Sequence, residues 1–165
     1  MPEQASLEYQ AEQQQMTGLM LALSDRTLLV PNTAVAELVA WQPADDLPGG
    51  VQRDGLVGRI GWRGLQLPLL SFEVLAGGTE PDVTESTRIA IFNSLEASAG
   101  AGFYAVLLQG IPRSIQVDNR LQLDSQAALR NGELAAVQLD GQSMFIPDLE
   151  GLEQGLRMAR LQQRF

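Results

Sequence analysis

The sequence predicts a mainly β protein that ends in one helix. Short apolar runs separated by glycine, proline, asparagine and aspartate recur along most of the 165 residues, and this spacing is typical of small barrels or of a single sandwich. A helical repeat of apolar residues is clear only near the C-terminus. Because 45% of the residues are apolar, the chain can bury one sizeable core, or two small cores that share a wall.

Three missing residue types limit the chemistry. The chain has no Cys, no His and no Lys, so its eleven basic residues are all arginine. It therefore lacks the usual groups of thiol and serine-histidine catalysis, of zinc binding, of Schiff bases and of phosphate-binding loops. We expect a protein that is not an enzyme, without catalytic residues, metal or cofactor. A remote alternative is a small-molecule enzyme that uses some of its twenty acidic residues.

The charge and the N-terminus limit location and partners. A formal charge of -9 repels nucleic acid and anionic lipid. Residues 1–16 are acidic and glutamine-rich, without a signal-peptide pattern, and the longest apolar runs fall short of the roughly 20 residues that span a bilayer. We expect a cytoplasmic protein with no nucleic-acid partner and no membrane insertion, in which residues 1–16 form a flexible tail before one domain at 17–165.

The first half of the domain predicts hairpins and loops. Residues 19–23 and 27–30 fit two short strands around a tight turn. Residues 33–41 fit either a helical face, with Thr33 as a candidate cap, or a turn of helix that enters a strand. The proline, glycine and aspartate residues of 42–55 predict a loop.

Two longer β-like runs follow, and the rhythm of short strands then continues. Residues 56–62 and 65–75 predict a long hairpin that turns at Arg63-Gly64, with a polar loop at 77–87 after it. The remaining predicted strands are 88–93, 103–109, 114–117, 134–139 and 144–146.

The end of the chain predicts a helix at about 148–163. Pro147-Asp148 supplies a cap, and acidic residues lie early and arginines late, as the helix dipole favours. Gly151 and Gly155 weaken the helix. One apolar face is formed by Leu149, Leu152, Leu156 and Ala159.

Three stretches resemble the CheW-like family. The most specific is GRIGWRGLQLPLL (58–70), which is similar to the family signature in which a strand turns at Arg-Gly and resumes through a proline. VAEL (35–38) resembles the family's Val-x-Glu-Ile/Leu segment, and VQLDG (137–141) with IPDLEGL (146–152) resembles its closing hairpin and final helix. The resemblance runs from about residue 17 to 156.

The resemblance implies a fold and a function. The fold would be two linked five-stranded SH3-like β-barrels with a C-terminal helix. The function would be that of a non-catalytic adaptor, recruited to membrane receptor arrays. It would couple the cytoplasmic tip of methyl-accepting chemoreceptors to the regulatory domain of a CheA-like histidine kinase. Trp62-Arg63-Gly64 and the stretches 69–73 and 109–113 resemble the ChpC branch, which is associated with type IV pili and twitching motility.

The sequence departs from the family pattern at several positions. Ser71-Phe72 stands where the family usually has Asp-Leu, Gln109 replaces an Asp, Trp62 replaces the common Leu, and Pro147 is atypical in the closing strand. These departures leave open an accessory protein of the family that competes for, or recruits, a different partner without activating the kinase.

The Arg-Gly turn is the centre of the predicted interaction site. Gly64 can take a positive φ at no steric cost, and Arg63 would project its donors from a rigid tip. Alternatively, Arg63 packs over Trp62 or pairs with a local acid. In the upstream segment we expect Val35 to be partly exposed for binding, whereas core burial is the better explanation of Leu38. The predicted partner-binding residues are Val35, Glu37, Leu38, Gly58, Trp62, Arg63 and Gly64.

Overall fold

The strands of this chain form two sheets. The computed structural model describes residues 15–48, 54–95 and 102–162. The elements within these ranges are β1 (Met16–Ala22), β2 (Thr27–Pro31), a 3-10 turn (Asn32–Ala34), β3 (Val35–Ala40), β4 (Leu56–Trp62), β5 (Leu65–Leu70), α1 (Phe72–Leu75), β6 (Arg88–Asn93), β7 (Phe103–Leu108), β8 (Arg113–Val117), β9 (Gln122–Leu123), β10 (Glu133–Leu139), β11 (Gln142–Pro147) and α2 (Leu149–Leu161).

The two sheets define two units of the fold. The first unit is a six-stranded sheet in the order β8-β1-β2-β11-β10-β9, and the second is a five-stranded sheet in the order β3-β6-β7-β5-β4. The neighbouring strands pair antiparallel, except for the parallel pairs β2–β11 and β5–β7. The predicted mainly β fold with two linked units and a final helix is confirmed. The first unit has one strand more than expected. The additional strand is β9, which was not predicted because it contains only two residues and leaves no pattern in the sequence.

The inner strands of both sheets bury both of their faces, which explains their continuous apolar runs. In β6, Ile89 and Ile91 point into the interior of the second unit, whereas Ala90 and Phe92 point into a cluster between the two units. In β2, Leu29 packs inside the first unit, while Leu28 belongs to the cluster between the units. We call this shared layer the central cluster. It fixes the two units against each other.

Two sequence predictions need correction. Residues 33–41 do not form a helix: a 3-10 turn precedes β3, and no side chain caps that turn, so Thr33 is not a cap. The alternative reading, a turn of helix that enters a strand, is confirmed. The strand predicted over 65–75 ends at Leu70, because the Ser71 hydroxyl accepts a hydrogen bond from the Val74 N–H and starts α1.

The C-terminal helix is confirmed, and its cap is the predicted one. The Asp148 carboxylate accepts a hydrogen bond from the Gly151 N–H at 3.0 Å, and Leu152 and Ala159 are buried in the central cluster. The predicted helix end at 163 and most of the predicted tail, residues 1–14, lie outside the described residues. Met16 already belongs to β1.

No helix within the described ranges has the length and the apolar content needed to cross a membrane.

Tyr104 carries a polar group into the central cluster. Its side chain is 1% exposed, and its hydroxyl has no hydrogen-bond partner among the described residues. Burial raises the pKa of Tyr104, and the negative charge of Glu153 raises it further. Because the pKa in the folded state lies above the unfolded value of about 10, stability falls as the pH rises beyond that value.

We therefore expect Tyr104→Phe to raise the free energy of unfolding by about 1 kcal/mol at neutral pH, because the unpaired buried hydroxyl is removed. The gain should grow above pH of about 10, where the parent loses stability. Urea denaturation across this pH range checks both expectations. A loss of stability in the variant would show that the hydroxyl makes a favourable bond.

Candidate interaction surface at the Arg63-Gly64 hairpin

The hairpin between β4 and β5 turns through two residues. Trp62 pairs with Leu65, and both turn residues have a positive φ, 47° at Arg63 and 77° at Gly64. This is the geometry of a type I′ turn, whose twist matches that of the flanking strands. The positive φ predicted for Gly64 is confirmed, while the one at Arg63 was not foreseen. The turn presents Arg63 from a short, well-defined tip.

Arg63 is connected to two other residues of the predicted site. Glu37 Oε2 accepts a hydrogen bond from Trp62 Nε1 at 2.8 Å and lies 3.2 Å from an Arg63 guanidinium nitrogen. The guanidinium carbon lies 4.7 Å from the centre of the Trp62 ring, within reach of a cation-π interaction. We call Glu37, Trp62 and Arg63 the Glu37 cluster. Arg63 therefore makes both contacts of its alternative interpretation, because it packs over Trp62 and pairs with the nearby acid Glu37.

These contacts orient Arg63 but leave most of it accessible. Its side chain is 69% exposed and that of Glu37 is 38% exposed. A guanidinium carries five N–H donors, and the ion pair with Glu37 engages one of its terminal nitrogens. The two interpretations of Arg63 are thus compatible, because a locally anchored arginine still offers donors to a partner.

The Glu37 cluster lies where the five-stranded sheet closes on itself. β3 and β4 are the two edges of that sheet, and Glu37 joins one edge to the other. Asp45 and Arg59 continue the closure with two backbone hydrogen bonds of 2.8 and 3.1 Å, and the Gln42 side chain donates to the Gly61 carbonyl at 3.2 Å. The closed sheet gives the hairpin tip a rigid base.

Gly58 supports this closure from inside. It is buried, and a Cβ at this position would lie 2.7 Å from the Ala44 Cβ and 3.1 Å from the Asp45 carbonyl oxygen. The partner contact at Gly58 stays a prediction. Within the structure, Gly58 lets the segment at Ala44 pack closely over β4, which supports the surface indirectly.

This role gives a stability prediction with a matched control. Gly58→Ala should lower the free energy of unfolding by about 1–3 kcal/mol, since backbone must shift to make room. Gly61→Ala on the same strand meets nothing closer than the flexible Gln66 side chain at 3.4 Å and should change stability by about 0.5 kcal/mol or less. Thermal and urea unfolding measure both variants. An equal loss of unfolding free energy in Gly58→Ala and Gly61→Ala would contradict the packing role of Gly58.

Leu38, and not Val35, is the more exposed of the two apolar residues predicted in this segment. Val35 is half-buried and packs against the central cluster, whereas Leu38 is 37% exposed. Exposure alternates along β3, and Leu38 falls among its exposed positions. Leu38 lies on an edge strand and is outside the buried clusters. The partial exposure expected of Val35 is confirmed, whereas the expected core burial of Leu38 is wrong.

The sequence reading also missed exposed neighbours of Leu38. Ala36 and Ala40 of β3 are also exposed, and Trp41 follows the strand with 39% of its surface exposed. We call Ala36, Leu38, Ala40 and Trp41 the β3 row. Alternation along β3 could have revealed it, because residues two apart lie on one face of a strand. The β3 row and the Glu37 cluster lie on the same edge of the second unit.

A second hairpin tip provides an electrostatic comparison. Asp140 and Gly141 also have positive φ values, 50° and 77°, so the β10–β11 turn is of the same kind. Arg120 lies 3.0 Å from both Asp118 and Asp140. Hydrogen bonds from the Arg120 side chain and backbone hold the pKa of Asp118 below its ordinary value. Arg120 faces two carboxylates, whereas Arg63 faces only Glu37 among the described ion pairs, so Arg63 is less neutralised.

Comparisons with known proteins identify the family and the fold of the chain. The family model for the CheW-like domain matches residues 17–156. No curated protein matches the chain. Among solved structures, the scaffolding protein TtCheW from Thermoanaerobacter tengcongensis is similar in fold. Its TM-score is 0.68 at 16% sequence identity, over 83% of this chain and 86% of that one. Because the family model covers most of the chain, this protein belongs to the CheW-like domain family.

Proposed function

We propose that this protein is a non-catalytic adaptor of a chemosensory pathway, on the cytoplasmic side of receptor arrays. It couples the cytoplasmic tip of methyl-accepting chemoreceptors to the regulatory domain of a CheA-like histidine kinase. Family membership supports this proposal. The observation that carries it is the Glu37 cluster, in which a largely exposed arginine is held in a defined position by Trp62 and Glu37.

The surface combines a directional charge with apolar area. Arg63 can donate charge-assisted hydrogen bonds to carboxylates or carbonyls of a partner. Leu38 and Trp41 supply apolar contact beside it, and interfaces often gain most of their energy from a few aromatic and arginine residues. Glu37 and Trp62 hold the arginine before binding, which lowers the entropy cost of ordering it.

Coupling of this kind works through affinity and needs no reaction. An adaptor that binds one state of the receptor or kinase more tightly shifts the assembly toward that state. The shift cannot exceed the difference in binding free energy between the two states. We propose in addition that the pathway serves type IV pili, as in the ChpC branch, on the basis of the stretches around Trp62 and Gln109 that resemble it.

Of the departures from the family pattern, Trp62 belongs to the Glu37 cluster, whereas Ser71 and Gln109 lie outside the candidate surface. Ser71 is buried and caps α1, and the Gln109 N–H donates to the Ala22 carbonyl at 2.8 Å. Both residues lie at the junction of the two units, away from the hairpin tip. The departures at Ser71 and Gln109 therefore give the accessory alternative no support, and we propose a full coupler.

The enzyme alternative gains no support from the cavity between α2 and the second unit. This cavity of about 240 Å³ has two carboxylates in its lining, Asp54 and Asp148. Asp148 accepts the capping bond from Gly151, and Asp54 accepts from the Leu56 N–H at 3.5 Å. Both carboxylates therefore serve local backbone structure.

Reconstituted kinase activity tests the proposal. Autophosphorylation of the CheA-like kinase would be measured with receptor-containing membranes, with and without this protein. We expect receptor control of the kinase only when the protein is present. Binding to the receptor without any effect on the kinase would favour the accessory alternative, and no binding to either partner would refute the proposal.

A further inference from the structure

A buried carboxylate joins the two units of the fold. Glu73 lies in α1 of the second unit and is 7% exposed. One of its oxygens accepts hydrogen bonds from the Ser24 N–H at 3.1 Å and the Ser24 hydroxyl at 3.3 Å. The other accepts from the Ser71 hydroxyl at 3.1 Å. Ser24 belongs to the β1–β2 turn of the first unit, so these bonds cross the junction. A buried carboxylate is costly unless it is hydrogen-bonded in this way.

The turn that Glu73 holds is itself fixed to the first unit. Asp25 lies 2.7 Å from an Arg130 nitrogen, and Arg26 lies 2.8 Å from both carboxylate oxygens of Glu133 in β10. The Arg26 guanidinium also lies 4.0 Å from the centre of the Phe145 ring in β11. Because the turn is tied to two strands of its own sheet, a displacement at Ser24 moves the first unit with it.

The rest of the junction is mainly apolar. The central cluster lies between the two sheets, and apolar contact is non-directional, so it opposes separation more strongly than sliding or rotation. Hydrogen bonds with fixed donors and acceptors oppose rotation as well. Besides the bonds of Glu73, further bonds of this kind at the junction run from Gln109 N–H to the Ala22 carbonyl, from the Asn131 side chain to the Leu75 carbonyl, and from Leu95 N–H to the Glu153 carboxylate of α2.

We propose that Glu73 is a positioning residue that sets the angle between the two units. It thereby sets the orientation of the first unit relative to the Arg63-Gly64 hairpin of the second. This inference concerns the geometry of the adaptor itself and holds whichever partners it couples.

Distances between the two units test this proposal directly. The chain contains no Cys, so cysteines introduced at Gln66 in β5 and Gln138 in β10, both exposed, would carry the only spin labels. Pulsed electron paramagnetic resonance then gives the distance distribution between the units. We expect Glu73→Ala to shift or broaden this distribution, whereas Glu73→Gln, which keeps a carbonyl acceptor for Ser24, should retain most of the parent's distribution. Glu80→Ala, in the exposed loop, is the matched control and should change nothing.

Amide hydrogen exchange separates a positioning role from a local one. In Glu73→Ala the Ser24 amide should exchange roughly tenfold faster or more, since its acceptor is lost. Faster exchange at Ser24 with an unchanged distance distribution would show that Glu73 fixes only the turn, and the proposal would be wrong. If the alanine variant does not fold, Glu73→Leu, which preserves the volume but removes the acceptors, is judged by the same two criteria.

Discussion

Arg63→Ala is expected to leave the fold intact and to weaken binding of the receptor tip, the kinase regulatory domain or both by about tenfold or more. The Arg63 side chain is largely exposed and its ion pair with Glu37 is a surface pair, which contributes only about 0–1 kcal/mol to stability. An interfacial arginine commonly contributes about 1.4 kcal/mol or more to binding, which corresponds to a factor of ten. Isothermal titration calorimetry with each purified partner measures the change.

Two further variants sharpen this prediction. Arg113→Ala removes an exposed arginine from β8 of the first unit, so it controls for the loss of one positive charge far from the hairpin. Glu37→Gln keeps an acceptor for the Trp62 indole but weakens the pairing with Arg63, and it should reduce affinity less than Arg63→Ala does. Equal affinity of the Arg63→Ala variant and the parent for both partners would remove Arg63 from the site.

Trp62→Ala is expected to lower both stability and partner binding. The Trp62 ring packs edge-on against Phe103 with 4.9 Å between ring centres, its indole N–H donates to Glu37, and its face supports Arg63. Full burial would make the substitution cost about 3–5 kcal/mol. Because Trp62 is half-buried, we expect a loss of about 2 kcal/mol in the free energy of unfolding, measured by urea denaturation.

Trp62→Phe separates the two effects of Trp62. The phenyl ring keeps the packing against Phe103 and therefore most of the stability, but it lacks the N–H that orients Glu37. We expect this variant to bind partners less tightly than the parent while unfolding at nearly the same urea concentration. Binding equal to that of the parent would show that the hydrogen bond from Trp62 to Glu37 does not prepare Arg63 for its partner.

The parts of this structure that the sequence predicts are those set by local chemistry. A type I′ turn requires positive φ at two successive residues, and Gly64 is the one of the pair that adopts it at no steric cost. Gly64 therefore indicates where the hairpin reverses. Asp148 caps α2 through a bond to a residue three positions away, and the apolar face of α2 follows from its own spacing. The same local logic located β1, β2 and β6 to within a few residues.

The parts that it does not predict depend on contacts distant in sequence. Glu37 and Trp62 are 25 residues apart in the sequence, and Ser24 and Glu73 are 49 apart. No local sequence pattern predicts either pair. The position of β3 at an edge of the five-stranded sheet also depends on distant strands. The run 65–75 still ends in the apolar residues Val74 and Leu75, and the end of the strand shows in the hydrogen bond that the Ser71 hydroxyl accepts from Val74 N–H.

Co-sedimentation shows whether this CheW-like protein joins the receptor to the kinase. Receptor-containing membranes would be pelleted with the CheA-like kinase, with and without the adaptor, and the kinase in the pellet would be quantified. We expect the kinase to pellet with the receptors when the parent protein is present. With the Arg63→Ala variant, much less kinase should be found in the pellet. Kinase that stays in the supernatant despite the parent protein would contradict the proposed coupling.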